Sequence, residues 1–80
     1  MRLDKFLKVS RIIKRRTLAK EICDAGNVEI NGRPAKAGTD VKVGDKLAIN
    51  FGHRILEVEI LETKNNVPAA KAKEMYKEIR

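Results

Sequence analysis

The sequence predicts a small α+β domain: two N-terminal helices packed on a small antiparallel sheet, followed by a C-terminal helix. Three observations lead there. Apolar residues recur at helical spacing as far as Ala25, the period changes to alternation after Gly26, and Asn31-Gly32 separates two short extended stretches. Asn-Gly is the strongest short hairpin signal, because both central residues of a type I′ turn need positive φ.

Leu3, Phe6 and Leu7 are spaced for a short first helix, Asp4 to Val9, with Lys5 and Lys8 on its other side. Asp4 is placed to cap that helix or to complement its positive end. Ser10 to Arg16 reads as a basic connector. A second helix is expected from Thr17 to Ala25, with Leu18, Ala19, Ile22 and Cys23 as its buried stripe and Gly26 closing it. Val28 and Ile30 then face one way and Glu29 the other. Beyond the hairpin, Arg33, Pro34 and Ala35 return as a short edge segment, where the missing N–H of Pro34 does no harm.

Ala37 to Gly44 is a winding loop, and Gly44-Asp45 turns the chain into a strand with Leu47, Ile49 and Phe51 on one face. After the Gly52-His53 turn, Arg54 to Glu62 forms a longer strand with Leu56, Val58 and Ile60 inward. Asn65-Asn66 breaks the pattern, and Pro68 suits the first position of a last helix carrying Ala72, Met75, Tyr76 and Ile79. The order is ααβββ or ααββββ plus that helix, divided as a domain over 1–62 and a helical extension over 63–80.

Eighty residues allow one small domain and no separate catalytic cleft and substrate domain. No apolar run approaches the ~20 residues of a membrane span. The first residues carry a base about every third position and no apolar block, so no secretory signal is expected and the chain is assigned to the cytoplasm. One cysteine, Cys23, makes neither an internal disulfide nor a zinc cluster, and its place on an apolar stripe marks it as core. His53 stands in a turn with no acid, Cys or second His arranged near it, so neither catalysis nor a metal is expected there. No cofactor is implied.

The charge is the informative part. The net charge is +7, and all of it lies in residues 1–20, which hold eight bases and one acid; residues 21–80 hold ten of each. Such a patch suits a polyanion, because neutralised phosphates release condensed counterions. A membrane-surface helix would carry a wider apolar face with Trp or Phe as anchor, and Trp is absent. The only aromatic residues, Phe6, Phe51 and Tyr76, occupy core-like positions. The base-stacking platform of a single-strand binder is therefore missing, and structured RNA fits better.

Four ordered pieces carry a resemblance: Arg2-Leu3-Asp4-Lys5-Phe6-Leu7, Arg15-Arg16-Thr17-Leu18-Ala19, Gly26-Asn27-Val28-Glu29-Ile30-Asn31-Gly32 and Val43-Gly44-Asp45. Over about residues 1–51 the chain resembles the S4-type RNA-binding domain, with its αL RNA-binding motif. As a stand-alone copy it is similar to the RqcP (YabO) family and to the related fifteen-kilodalton heat-shock protein. Its first eleven residues, Lys14 to Glu21 and Asn50-Phe51-Gly52 favour RqcP. The heat-shock relative usually has a tryptophan in the first helix and a longer basic tail.

The resemblance implies a non-enzymatic factor of bacterial ribosome-associated quality control. Such a factor binds large-subunit rRNA and peptidyl-tRNA on the split, obstructed large ribosomal subunit. There it supports RqcH-dependent, template-free alanine tailing, with rRNA, peptidyl-tRNA and RqcH as partners, no membrane, and a monomeric chain. The alternatives are a heat-shock-type rescue factor for aborted large subunits without tailing, or a structural or assembly protein of the small subunit.

Arginine forks fit phosphate oxygens bidentately. The candidate contacts are Arg2, Lys5, Lys8, Arg11, Arg15, Arg16, Thr17 and Lys20, with Arg2 and Arg16 first because they match the family's motif positions. Asp4 joins them either as a contact or as an N-cap or ion pair orienting Arg2 or Arg16. Arg33 and Lys36, beside the hairpin, extend the patch or are merely solvated. Glu57, Glu59 and Glu62 read as the solvent side of a sheet.

Overall fold

Leu3, Phe6 and Leu7 lie three and four residues apart, and all three are fully buried on one side of the first helix, α1 (Leu3–Val9). Each such side chain contributes about 1.5–3 kcal/mol by leaving water. The computed structural model describes residues 1–79. A second helix, α2 (Arg16–Asp24), buries Ala19 and Cys23 against the same core. A five-stranded antiparallel sheet follows, in the order β2-β1-β3-β4-β5. Its strands are β1 (Val28–Ile30), β2 (Arg33–Pro34), β3 (Lys46–Asn50), β4 (Ile55–Ile60) and β5 (Tyr76–Glu78).

The helices cover one face of this sheet, and Val28, Leu47, Ile49, Val58 and Ile60 meet them there. Register enforces the alternation read from sequence. Val28 opposes Ile49, and Ile49 opposes Leu56, all inward; Glu29, Ala48 and Glu57 line up on the other face. Glu59 shares that face, whereas Glu62 falls beyond β4 and lies 3.9 Å from Lys64. The β1–β2 hairpin turns at Asn31 (φ 51°) and Gly32 (φ 84°), both left-handed as the Asn-Gly signal requires. Asn31 also donates to Asp45 (3.1 Å) and accepts from the Lys46 N–H (3.0 Å), which locks the hairpin to the start of β3.

Both helix starts lie one residue earlier than expected. Arg2 and Arg15 occupy the N-cap positions, and neither makes a side-chain cap. Asp4 is therefore no cap but sits inside the first turn of α1. A different restraint fixes that start: the N–H groups of Leu3 and Asp4 donate to the carbonyls of Thr39 (2.8 Å) and Ala37 (3.1 Å). The winding loop thus acts as a strap across the beginning of the chain.

The two helices end alike but with different residues. After α2, Gly26 (φ 86°) donates to the Cys23 carbonyl and Asn27 to that of Ile22, the paired bonds of a Schellman motif. After α1 the corresponding position is Arg11 (φ 63°), which donates to the Lys8 carbonyl, while Ile13 donates to that of Leu7. A left-handed conformation costs a non-glycine residue about 1 kcal/mol or more.

The C-terminal segment differs from expectation. A 3₁₀ helix runs over Ala69–Met75, beginning just after Pro68, and the chain then extends as β5 along β4, with Tyr76 opposite Ile60. Ala72 and Met75 are buried as expected, because their i, i+3 spacing suits the three-residue turn of a 3₁₀ helix equally well. Tyr76 and Ile79 leave the helical stripe because β4 would otherwise present an open edge. Pairing satisfies its backbone groups, and the Ile79 N–H reaches the Glu57 carbonyl at 2.7 Å.

Candidate nucleic-acid interface

Asp4 is the hub of the basic surface. Only 3% of it is exposed, and three groups converge on its carboxylate. Arg2 Nε donates to Oδ1 at 3.1 Å, Arg16 Nε to Oδ2 at 3.3 Å, and the Lys5 N–H to Oδ1 at 2.8 Å. Burial alone would push the carboxyl up. The hydrogen bonds from Arg2, Arg16 and Lys5 outweigh it and hold the group below its ordinary value of 3.8.

The geometry separates a buried anchor from exposed ends. The Asp4 side chain is 4% exposed, whereas those of Arg2 and Arg16 are 53% and 47% exposed. Arg16 uses only Nε on the anchor, which leaves the outer nitrogens of its fork unbonded to Asp4. A half-exposed arginine fixed at its inner nitrogen has lost rotamer freedom before any ligand arrives, and its donors keep the planar spacing that fits phosphate oxygens. Two guanidinium groups on one carboxylate also leave a local net charge of +1.

Around this hub stand cations without an acidic partner among the described residues. Lys8, Arg11, Arg15 and Lys20 are exposed, Lys5 is half-buried, and Thr17 is exposed in the first turn of α2. Lys14 belongs with them; it was absent from the contacts expected from sequence, and its signal was the run Lys14-Arg15-Arg16. The two residues beside the hairpin do not bond the Asp4 carboxylate. Lys36 Nζ donates to the Asp24 carbonyl at 3.1 Å, where it closes the C-terminal end of α2. Arg33 is exposed on edge strand β2, outside the bonds that join Arg2, Asp4 and Arg16.

Burial pushes the Cys23 thiol up to about 11, with the Asp4 and Asp24 carboxylates adding to the effect, so it is not a nucleophile at neutral pH. His53 is exposed in the β3–β4 turn. No cluster of His, Cys, Asp and Glu among the described residues is arranged to hold a metal ion. No described helix is long and apolar enough to cross a membrane.

The pieces of sequence that build this hub are those of a known domain. Residues 1–47 match the model of the S4 domain. The chain is also 58% identical over 76 residues to the RQC P-site tRNA stabilizing factor of Halalkalibacterium halodurans, covering 95% of this chain and 86% of the relative. It belongs to the S4 domain family, among the RQC P-site tRNA stabilizing factors. The Bacillus subtilis member is 55% identical, with 95% of this chain and 88% of that protein covered. Heat Shock Protein 15 of Vibrio cholerae, solved as a trimer, superposes with a TM-score of 0.89 at 32% identity, over 98% of this chain and 80% of that one. Asp4, Arg2 and Arg16 all fall inside the S4 match. Residues 48–79, which complete the sheet and carry the 3₁₀ helix, lie outside it.

Proposed function

We propose that this S4-family protein is a non-enzymatic, cytoplasmic RNA-binding factor of ribosome-associated quality control that holds tRNA and rRNA on the obstructed large subunit. The observation that carries the reading is the buried Asp4 with Arg2 and Arg16 fixed on it, on a surface whose other cations lack acidic partners among the described residues. Fixed forks and mobile lysines together recognise a folded phosphate backbone by shape. The names of its relatives support P-site tRNA as one ligand.

In the finer reading, the protein sits between peptidyl-tRNA and a large-subunit rRNA hairpin as a monomer. From there it supports RqcH-dependent addition of an alanine tail to the stalled chain. Arg2 and Arg16 grip phosphates at the centre, Lys5, Lys8, Arg11, Arg15, Thr17 and Lys20 flank them, and Arg33 extends the patch. Asp4 acts by orienting the two arginines.

The test is sedimentation of the tagged protein from cell lysate, with analysis of the RNA and nascent chains in each fraction. Recovery with large subunits carrying tRNA and alanine-tailed chains, and its loss in Arg16→Ala, is the expected result. Recovery with small subunits would sink the assignment. Normal tail content after deletion of the gene would move the protein to rescue without tailing. Neutralising about six phosphates should give log K against log salt a slope near −4 to −5, and a flat response would remove the phosphate surface altogether.

A further inference from the structure

Beside the Asp4 hub, the end of α1 meets the loop that follows β4. Between them lies a notch of about 160 Å³ lined by Lys8, Val9, Arg11, Asn65, Asn66 and Val67. Its polar lining comprises two cations and two carboxamides and includes no carboxylate. Neither Lys8 nor Arg11 has an ion pair among the described residues. Four residues whose side chains can donate hydrogen bonds therefore border one open cavity that no acidic residue lines among the described ones.

Arg11 adds a second, independent observation. It stands at φ 63° where the other helix uses Gly26, so the backbone would be more relaxed with glycine there. The charge of Arg11 complements the C-terminal end of α1, but Lys8 in the last turn already does so. Arg11 thus adopts a disfavoured conformation at the edge of a notch that no described acidic residue lines.

We infer that this notch is a second phosphate site, which takes one phosphodiester of the bound RNA between Lys8 and Arg11 on one wall and the Asn65 and Asn66 amides on the other. The inference rests on the RNA-binding reading above and extends it into the C-terminal segment beyond the S4 match. The division of labour has a measurable signature. Lys8 and Arg11 contribute charge, so each sets part of the salt dependence; the asparagines contribute neutral donors, which release no counterions.

The experiment measures binding of the full-length protein to purified large subunits carrying P-site tRNA, across a salt series. The variants are Lys8→Ala, Arg11→Gly, the double Asn65→Ala/Asn66→Ala, and Arg16→Ala as reference. Lys8→Ala and Arg11→Gly should each reduce the salt slope by about one unit. The asparagine variant should bind about five- to tenfold more weakly at an unchanged slope. Arg11→Gly should also raise Tm by a few degrees, so weaker binding by a more stable protein excludes misfolding as its cause. Parental binding by the asparagine and Arg11 variants, with Arg16→Ala defective, would overturn the notch and leave the wider reading intact. Parental binding by all four would overturn both.

Discussion

Asp4 Oδ2 lies 3.3 Å from Arg16 Nε, a bond that joins the first turn of α1 to the first turn of α2 across twelve positions of sequence. The basic connector is thereby held as a bridge between two fixed ends. Arg2 reaches the same carboxylate from the other side at 3.1 Å.

Replacing Asp4 by Asn separates charge from orientation. The variant gains one unit of positive charge, so charge counting alone predicts tighter RNA binding and a steeper salt slope. The structure predicts the opposite for affinity, because both arginines lose the group that aims them. Binding should weaken about tenfold, and denaturant titration should show a loss of about 1–3 kcal/mol in stability.

Arg2 and Arg16 should be energetically coupled through the carboxylate they share. Each side chain is about half exposed, so either single alanine variant should cost only about 0.5–1 kcal/mol in stability. The double variant leaves a buried carboxylate with one backbone N–H. Its loss should exceed the sum of the singles by about 1 kcal/mol, measured as a double-mutant cycle by urea unfolding. Strict additivity would show that Asp4 is solvated in the absence of its partners.

Acid should reveal the same group. The folded carboxyl of Asp4 is lowered beneath 3.8, so its contribution to stability is complete above that value and disappears as pH falls through the lower folded one. The stability gap between the parent and Asp4→Asn should therefore be constant from pH 7 to 5 and shrink below about pH 4. A gap that stays constant to pH 2 would contradict the ion pairs.

Met75→Ala tests whether the C-terminal segment belongs to the core. Met75 is 1% exposed, its carbonyl accepts the N–H groups of Leu61 (2.7 Å) and Glu62 (3.1 Å), and its side chain packs in the cluster formed by the helices and sheet. Its truncation should cost about 2–4 kcal/mol in a single cooperative unfolding transition. A cost below 0.5 kcal/mol would mean that residues 63–79 fold apart from the sheet.

Local chemistry accounts for the parts that were legible in advance. The spacing of Leu3, Phe6 and Leu7, the alternation of Leu56, Val58 and Ile60, the positive φ demanded by Asn31-Gly32 and the glycine at position 26 each act within a few residues, so the sequence by itself determined α1, the end of α2 and the hairpin, whereas Leu18, expected in the buried stripe of α2, is 46% exposed. It also determined where the charge lies, because all of the excess is in the first twenty residues. Only the tertiary structure decided what required distant partners. The spacing of Ala72 and Met75 fits a 3₁₀ helix as well as an α-helix, and the open edge of β4 drew Tyr76–Glu78 out of the helical stripe into a fifth strand. Of the roles Asp4 offered from sequence, the side-chain cap gave way to ion pairs with Arg2 and the distant Arg16. The breaker Asn65-Asn66 became one wall of a basic notch because folding brought it against Lys8 and Arg11, more than fifty residues earlier in the chain. Periodicity reports which face of an element is apolar; it carries no information about which distant element will cover that face or share its charge.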